Sequence, residues 1–203
     1  MNGLNKKEVK DYWVTRSSIQ EKRTVGFCGN SLNEQDNEYN EKTSFVLPWV
    51  DREAVTLDYG CGVGRWSWMF ENYIGVDLTQ NLLKIAIKEN PTKKYYHLKH
   101  PSLHEFKDDN LSKINQFFSS TVLQHCDDTM CDDIIRTFSE YNPPSPTFIL
   151  YETSIKTGAY HNKGRTSNEY ASIIAKYFNV IDVKFEEHLV HNQPHTISKI
   201  TTK

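Results

Sequence analysis

Val55-Thr56-Leu57-Asp58-Tyr59-Gly60-Cys61-Gly62-Val63-Gly64-Arg65-Trp66, followed by Tyr73-Ile74-Gly75-Val76-Asp77, decides how this chain is read. Val55, Thr56 and Leu57 are β-branched or apolar and predict a short buried strand. The three glycines then allow a sharp turn and a close approach to a ligand where a Cβ would collide. Arg65 onward is expected to open a helix whose first N–H groups face whatever lies over the loop. Asp77 ends the next strand, where a carboxylate can accept two hydrogen bonds from a ribose diol. Strand, glycine turn, helix and distal acid in that order point to a nucleotide-type ligand. The competing reading is an ordinary strand-loop-helix turn.

The order of the remaining elements supports the first reading. Residues 1–44 are polar, with helical patterns around Val9, Trp13 and Arg16 and again from Tyr39 to Trp49, and read as an N-terminal cap. After the glycine turn, helices are expected near Trp66 to Asn72 and around Leu82 to Ile87, the latter ending before Pro91. Short strands follow at Tyr95 to Leu98, Ile114 to Ser119 and Thr147 to Tyr151, with a helix from Met130 to Tyr141 before the last of them. This alternation predicts a parallel, doubly wound α/β sheet. A helix around Glu169 to Phe178 leads to two β-branched runs, Val180 to Val190 and Thr196 to Thr201, which read as a closing hairpin.

Composition narrows the class. The 203 residues suffice for a single domain, and a formal net charge of −2 gives no electrostatic case for nucleic acid. With 37% hydrophobic and 12% aromatic residues the chain can fill a core, and no apolar run approaches the roughly 18 residues of a membrane span. The opening MNGLNKKEVKDYW contains no apolar signal core, so a cytoplasmic setting is expected. Cys28, Cys61, Cys126 and Cys131 form no Cys-x-x-Cys pair and fit free thiols better than disulfides or zinc.

The spacing Asp58-x-Gly60-x-Gly62-x-Gly64, with the acid at Asp77, resembles the first two motifs of class I S-adenosylmethionine-dependent methyltransferases. In the dinucleotide fingerprint the third glycine would instead fall at Arg65. The resemblance covers about residues 45–203 and implies a Rossmann-like, seven-stranded, mostly parallel sheet of order 3-2-1-4-5-7-6 with an antiparallel last strand. It also implies S-adenosylmethionine as cofactor and S-adenosylhomocysteine as product. Tyr12-Trp13-x-x-Arg16 with Val25-Gly26-Phe27 is similar to small bacterial and phage members acting on metabolites or sugars.

Carried onto this chain, the resemblance places Asp58, Gly60, Cys61, Gly62, Gly64 and Trp66 around the cofactor, with Asp77 on the ribose and Leu78 beside the adenine. Many relatives carry Gly-Asp-Ala after the third strand, whereas this chain has Lys99-His100-Pro101-Ser102-Leu103, so an amide near Ser102 or Leu103 is expected to meet the ring instead. Ser119 and Ser120, at the carboxyl end of the fourth strand, should border cofactor and acceptor. Val122-Leu123-Gln124-His125 is similar to the family's segment at this place. His125 can act as the base, since an unperturbed imidazole titrates near working pH, or can pack the following helix. Glu152, past the fifth strand, is the second catalytic candidate. Acceptor contacts are expected from Trp13 and Arg16 in the cap and from Tyr160, His161 and Arg165 in the loop before the last helix. Arg165 would pair with an anionic group or remain solvated while Thr166 or Ser167 caps the helix.

Two other patterns carry less. Asn142-Pro143-Pro144-Ser145 resembles the motif of amino-methyltransferases that act on extruded bases, but it lacks the aromatic residue and lies before the fifth strand, so it reads as a stiff loop. His188, His191 and His195, and His97, His100 and His104, straddle strands and turns, and no metal is expected. The leading function is methyl transfer to O or N of a small molecule, with no membrane partner. An RNA or protein methyltransferase, a nicotinamide-dependent oxidoreductase and a silent cofactor-binding domain are the alternatives.

Overall fold

The computed structural model describes residues 6–20, 32–108, 110–154, 162–190 and 193–203. Two helices come first, α1 (Lys6–Gln20) and α2 (Leu32–Val46). They are followed by β1 (Val55–Tyr59), β2 (Asn72–Asp77), α3 (Gln80–Glu89), β3 (Lys94–His97), β4 (Gln116–Ser120) and α4 (Asp128–Ser139). The chain ends with β5 (Thr147–Thr153), α5 (Ser167–Ile174), β6 (Val180–Val190) and β7 (Gln193–Thr202). The seven strands form one sheet of order β3-β2-β1-β4-β5-β7-β6. Pairing is parallel from β3 to β5 and antiparallel for β5 with β7 and for β6 with β7. This is the doubly wound arrangement and strand order that the sequence leads one to expect.

Strand alternation divides the core into two layers. Phe117, Phe148, Leu150 and Ile200 point to the face covered by α4 and α5, where Met130, Ile134, Phe138, Tyr170 and Ile174 meet them. Phe118, Ile149, Tyr151 and Ile197 point the other way, toward Val46, Trp66, Met69 and Phe70. The α4 helix begins where the Asp127 carboxylate accepts from Met130 N at 2.7 Å, an N-cap that satisfies one otherwise unpaired donor. A reciprocal capping box between Thr166 and Glu169 starts α5.

The second layer corrects one expectation. No α-helix runs from Trp66 to Asn72; a single 3-10 turn, Ser67–Met69, stands in its place. Trp66, Met69 and Phe70 have helical spacing and all three are buried, but by Phe70 the backbone is already extended. Glu71 N then bonds to Arg52 O at 2.8 Å, and β2 begins. There is no room for a second turn, and α2 covers this face from the N-terminal side. It runs past residue 44, the expected edge of the cap, and buries Val46 completely. No helix among the described residues is long and apolar enough to cross a membrane.

Candidate active site

The glycine turn is hooked to β2 before it reaches any ligand. Gly60 N and Cys61 N both donate to Val76 O, at 2.8 and 3.0 Å. Gly60 has φ +77°, and a Cβ there would lie 2.5 Å from Val122 Cγ2. Gly64, at φ +73°, would bring a Cβ to 2.5 Å from Tyr95 Oη. The side chains that demand glycine at these two positions therefore belong to the protein itself. The positive φ values fit the expected sharp turn, and the protein's own packing is a further reason for glycine beside approach to a ligand.

Asp77 closes the turn. Its Oδ2 accepts from Gly62 N at 2.9 Å and its Oδ1 from Thr79 N at 2.7 Å. The Thr79 side chain also bonds to the carboxylate, which leaves part of its acceptor capacity for a ribose hydroxyl. Burial raises the Asp77 pKa, and the amides of Gly62 and Thr79 oppose the rise. Deeper still, Asp58 accepts from Tyr73 Oη at 2.6 Å. Burial pushes its pKa up to about 7, against the Tyr73 hydrogen bond and with help from the Asp77 charge. Cys61 and Trp66 are buried with the second core layer, Trp66 between Tyr39 and Phe118, so Trp66 forms a wall behind the turn. Leu78 is half-buried, with its carbonyl 3.1 Å from His97 Nε2.

The segment after β3 stands differently from expectation. Leu103 is fully buried, and its N–H is committed to Thr137 Oγ1 on α4 at 3.1 Å. That amide is turned away from an adenine ring. Pro101 O accepts from Tyr59 Oη, which ties the stretch down, and Ser102 remains half-buried beside it.

At the carboxyl end of β4 the chain bends through Thr121, a non-glycine residue at φ +56°, a strained conformation of the kind that clusters at functional sites. Ser119 faces the α4 layer and donates to Glu152 Oε1 at 2.8 Å. The same carboxylate accepts from Val122 N at 3.2 Å, Leu123 N at 3.1 Å and Gln124 N at 3.2 Å. Glu152 is only 2% exposed, and burial pushes its pKa up to about 7 against these four donors. It is a clamp on the turn that carries His125, and both Ser119 and Glu152 are too committed to touch an acceptor. Gln124, quoted in the sequence but given no role there, extends the clamp by accepting from Thr153 N at 2.8 Å.

Arg165 is likewise a structural tie. It is 4% exposed and donates to Leu123 O at 3.0 Å and Cys126 O at 2.7 Å. It also grips Asp128 Oδ1 through Nε at 3.1 Å and Nη2 at 2.9 Å. Neither a substrate contact nor a solvated side chain describes it. Tyr160 and His161 lie outside the described residues.

On the same edge stands His125, its Nε2 3.4 Å from Gln124 Nε2. His125 closes a 3-10 turn, Leu123–His125, and is half-buried. Trp13 of α1 meets its ring at 5.1 Å between centroids, and Arg16 lies 5.3 Å from the centre of the Trp13 ring. Three residues before Trp13, Lys10 Nζ donates to Lys99 O, just after β3, at 2.9 Å. α1 thus touches the segment after β3 and the turn after β4, which flank β2 and β1 in the sheet. Ser120, half-buried at the end of β4, lies on this edge too.

The fold is that of class I S-adenosylmethionine-dependent methyltransferases. Magnesium protoporphyrin IX methyltransferase from Synechocystis PCC 6803, with S-adenosylhomocysteine bound, superposes at TM-score 0.72 and 14% identity, over 96% of this chain and 98% of that one. A SAM-dependent methyltransferase from Anabaena variabilis ATCC 29413 matches at TM-score 0.65 and 15% identity, over 100% and 98%. Phosphoethanolamine N-methyltransferase 1 of Haemonchus contortus, with phosphoethanolamine and S-adenosylhomocysteine, matches at 0.65 and 11%, over 98% of this chain and 50% of that one. No protein-family model matches the sequence, and no curated protein matches it.

Proposed function

We propose that the chain is an S-adenosylmethionine-dependent methyltransferase acting on O or N of a small molecule. The observation that carries this reading is Asp77, held at the end of β2 by Gly62 N and Thr79 N with acceptor capacity to spare, beside a glycine turn hooked to Val76 O. Those residues fit the cofactor. Asp77 would hold the ribose, Gly60 to Gly62 would lie under the methionine portion, and Leu78 and Ser102 would flank the adenine. Bound there, S-adenosylmethionine supplies a methyl group already made electrophilic by its sulfonium. The protein's part is to align a nucleophile, exclude water and remove a proton. The α1 helix, in contact with the segments after β3 and β4, supplies the cover. His125 accepts the proton from the acceptor hydroxyl or amine, with the Glu152 clamp and Trp13 setting its position. The small-molecule acceptor is supported by the slight net charge of −2, which gives no overall electrostatic attraction to RNA.

Calorimetric titration with S-adenosylhomocysteine, S-adenosylmethionine and NAD tests this reading. Saturable binding of the first two is expected. Binding of NAD with no response to either sulfur compound overturns it.

A further inference from the structure

We propose that two copies of this chain pair through β6, strand against strand and antiparallel, about a two-fold axis at Phe185. The sheet ends at β6, which pairs with β7 from Val180 to Val190 with a bulge at Ile181 and has no further strand beside it among the described residues. It spans 11 residues, whereas the opposite edge, β3, has four. Among the described residues, three of the six exposed large hydrophobic ones lie on it, Ile181 at 59%, Phe185 at 57% and Leu189 at 62%. A long edge with apolar residues in water is a template for another strand unless it is blunted.

Charges on such an edge usually serve as blunting, and β6 carries Asp182, Lys184, Glu186 and Glu187. The order of the charges argues otherwise. Antiparallel pairing centred on Phe185 sets Phe185 against itself and Lys184 against the second copy's Glu186; His188, opposite Asp182, is stacked on Phe45 and faces Glu41 of its own chain. Val183 opposite Glu187 is mismatched. Moving the axis so that Lys184 faces itself sets Asp182 against Glu186, and moving it so that Glu186 faces itself sets Lys184 against His188. One-residue slips put Lys184 opposite Phe185 or Phe185 opposite Glu186. Opposite charges and aromatic pairs directly across a non-covalent ladder stabilise it, and like charges oppose it. A self-complementary patch of this kind is what an isologous interface needs. Lys184 and Asp182 form only a loose ion pair within the strand, 3.5 Å apart, with side chains 68% and 49% exposed. Both can turn to a partner strand.

The test is a charge swap followed by sedimentation equilibrium on the full chain. Wild type is expected at twice the monomer mass. Lys184→Glu and Glu186→Lys, each of which places two like-charged pairs across the axis, are expected to run as monomers, and the double variant K184E/E186K should return to the dimer. Circular dichroism melts should coincide for all four proteins under conditions where wild type is diluted to monomer, because the swapped side chains are exposed. A monomeric wild type, which would leave the edge to another partner, overturns the proposal. So do single swaps that stay dimeric or a double swap that stays monomeric.

Discussion

The indole of Trp13 stands edge-on to the imidazole of His125, with ring centroids 5.1 Å apart and planes inclined by 66°. One contact thus joins the first helix of the chain to the turn after β4. Aromatic pairs of this geometry are worth about 0.5–1.5 kcal/mol beyond their buried area. The position of His125 and the docking of α1 are therefore linked. Replacing His125 by Ala should lower turnover roughly 10²- to 10⁴-fold while cofactor affinity holds. Trp13→Ala should act more mildly, raising KM for the acceptor together with a smaller fall in kcat. Steady-state kinetics on an acceptor found by a metabolite screen would check both, and an unaltered rate for His125→Ala would return that residue to packing.

Asp77→Ala removes the acceptor shared by Gly62 N and Thr79 N as well as the proposed ribose contact. Loss of charge-assisted hydrogen bonds should weaken S-adenosylhomocysteine binding by about 1–3 kcal/mol. Titration calorimetry reads this directly, and undiminished affinity removes Asp77 from the site.

Arg165→Met deletes the donors to Leu123 O and Cys126 O while keeping much of the side-chain volume. Leu123 O keeps Cys126 N at 3.0 Å, but Cys126 O loses the Arg165 donor, and a buried carbonyl left without a partner costs about 1–3 kcal/mol. Urea denaturation should show a lower midpoint, whereas methionine in a mere substrate contact would leave the midpoint in place and raise KM alone.

Asp58 sets a pH dependence. Burial raises its pKa from 3.8 to about 7, so between those values the folded chain binds the extra proton. Its stabilising share is complete below pH 4 and is lost as pH climbs through 7. The shift of about three units corresponds to something on the order of 4 kcal/mol. Asp58→Asn does not titrate and should gain on wild type as pH rises from 4 to 8. Melting temperatures of the two proteins across that range test this, and parallel curves would contradict it.

Much of the architecture was legible because it rests on local periodicity. Alternation through Phe117-Phe118 and Phe148-Ile149-Leu150-Tyr151 marks strands buried on both faces, and Asp77 sits where a strand ends. The inward turn of Ser119, Glu152 and Arg165 was not legible. Chemistry-bearing residues near a sheet edge look alike in sequence whether they face the ligand or the helix layer, and one step along a strand reverses the face. The missing helix after Gly64 misled for a related reason. Trp66, Met69 and Phe70 have the spacing of a helix face, and only the nearness of β2 shows that one turn is all they make. Trp13 and His125 were each suspected, but a contact between residues so far apart in the chain leaves no local trace.

The wall behind the glycine turn comes from far upstream. Tyr39 of α2 donates its hydroxyl to Arg65 O and receives Trp68 Nε1 at 2.7 Å, while its ring lies 5.0 Å from that of Trp66. During synthesis the motif that names the fold emerges after the helix that seals it, so α2 is already available when the turn forms. A clone trimmed to the apparent start of the sheet would retain every glycine yet leave Trp66, Met69 and Phe118 facing water. Such a fragment should aggregate, and its failure to bind a nucleotide would say nothing about the motif.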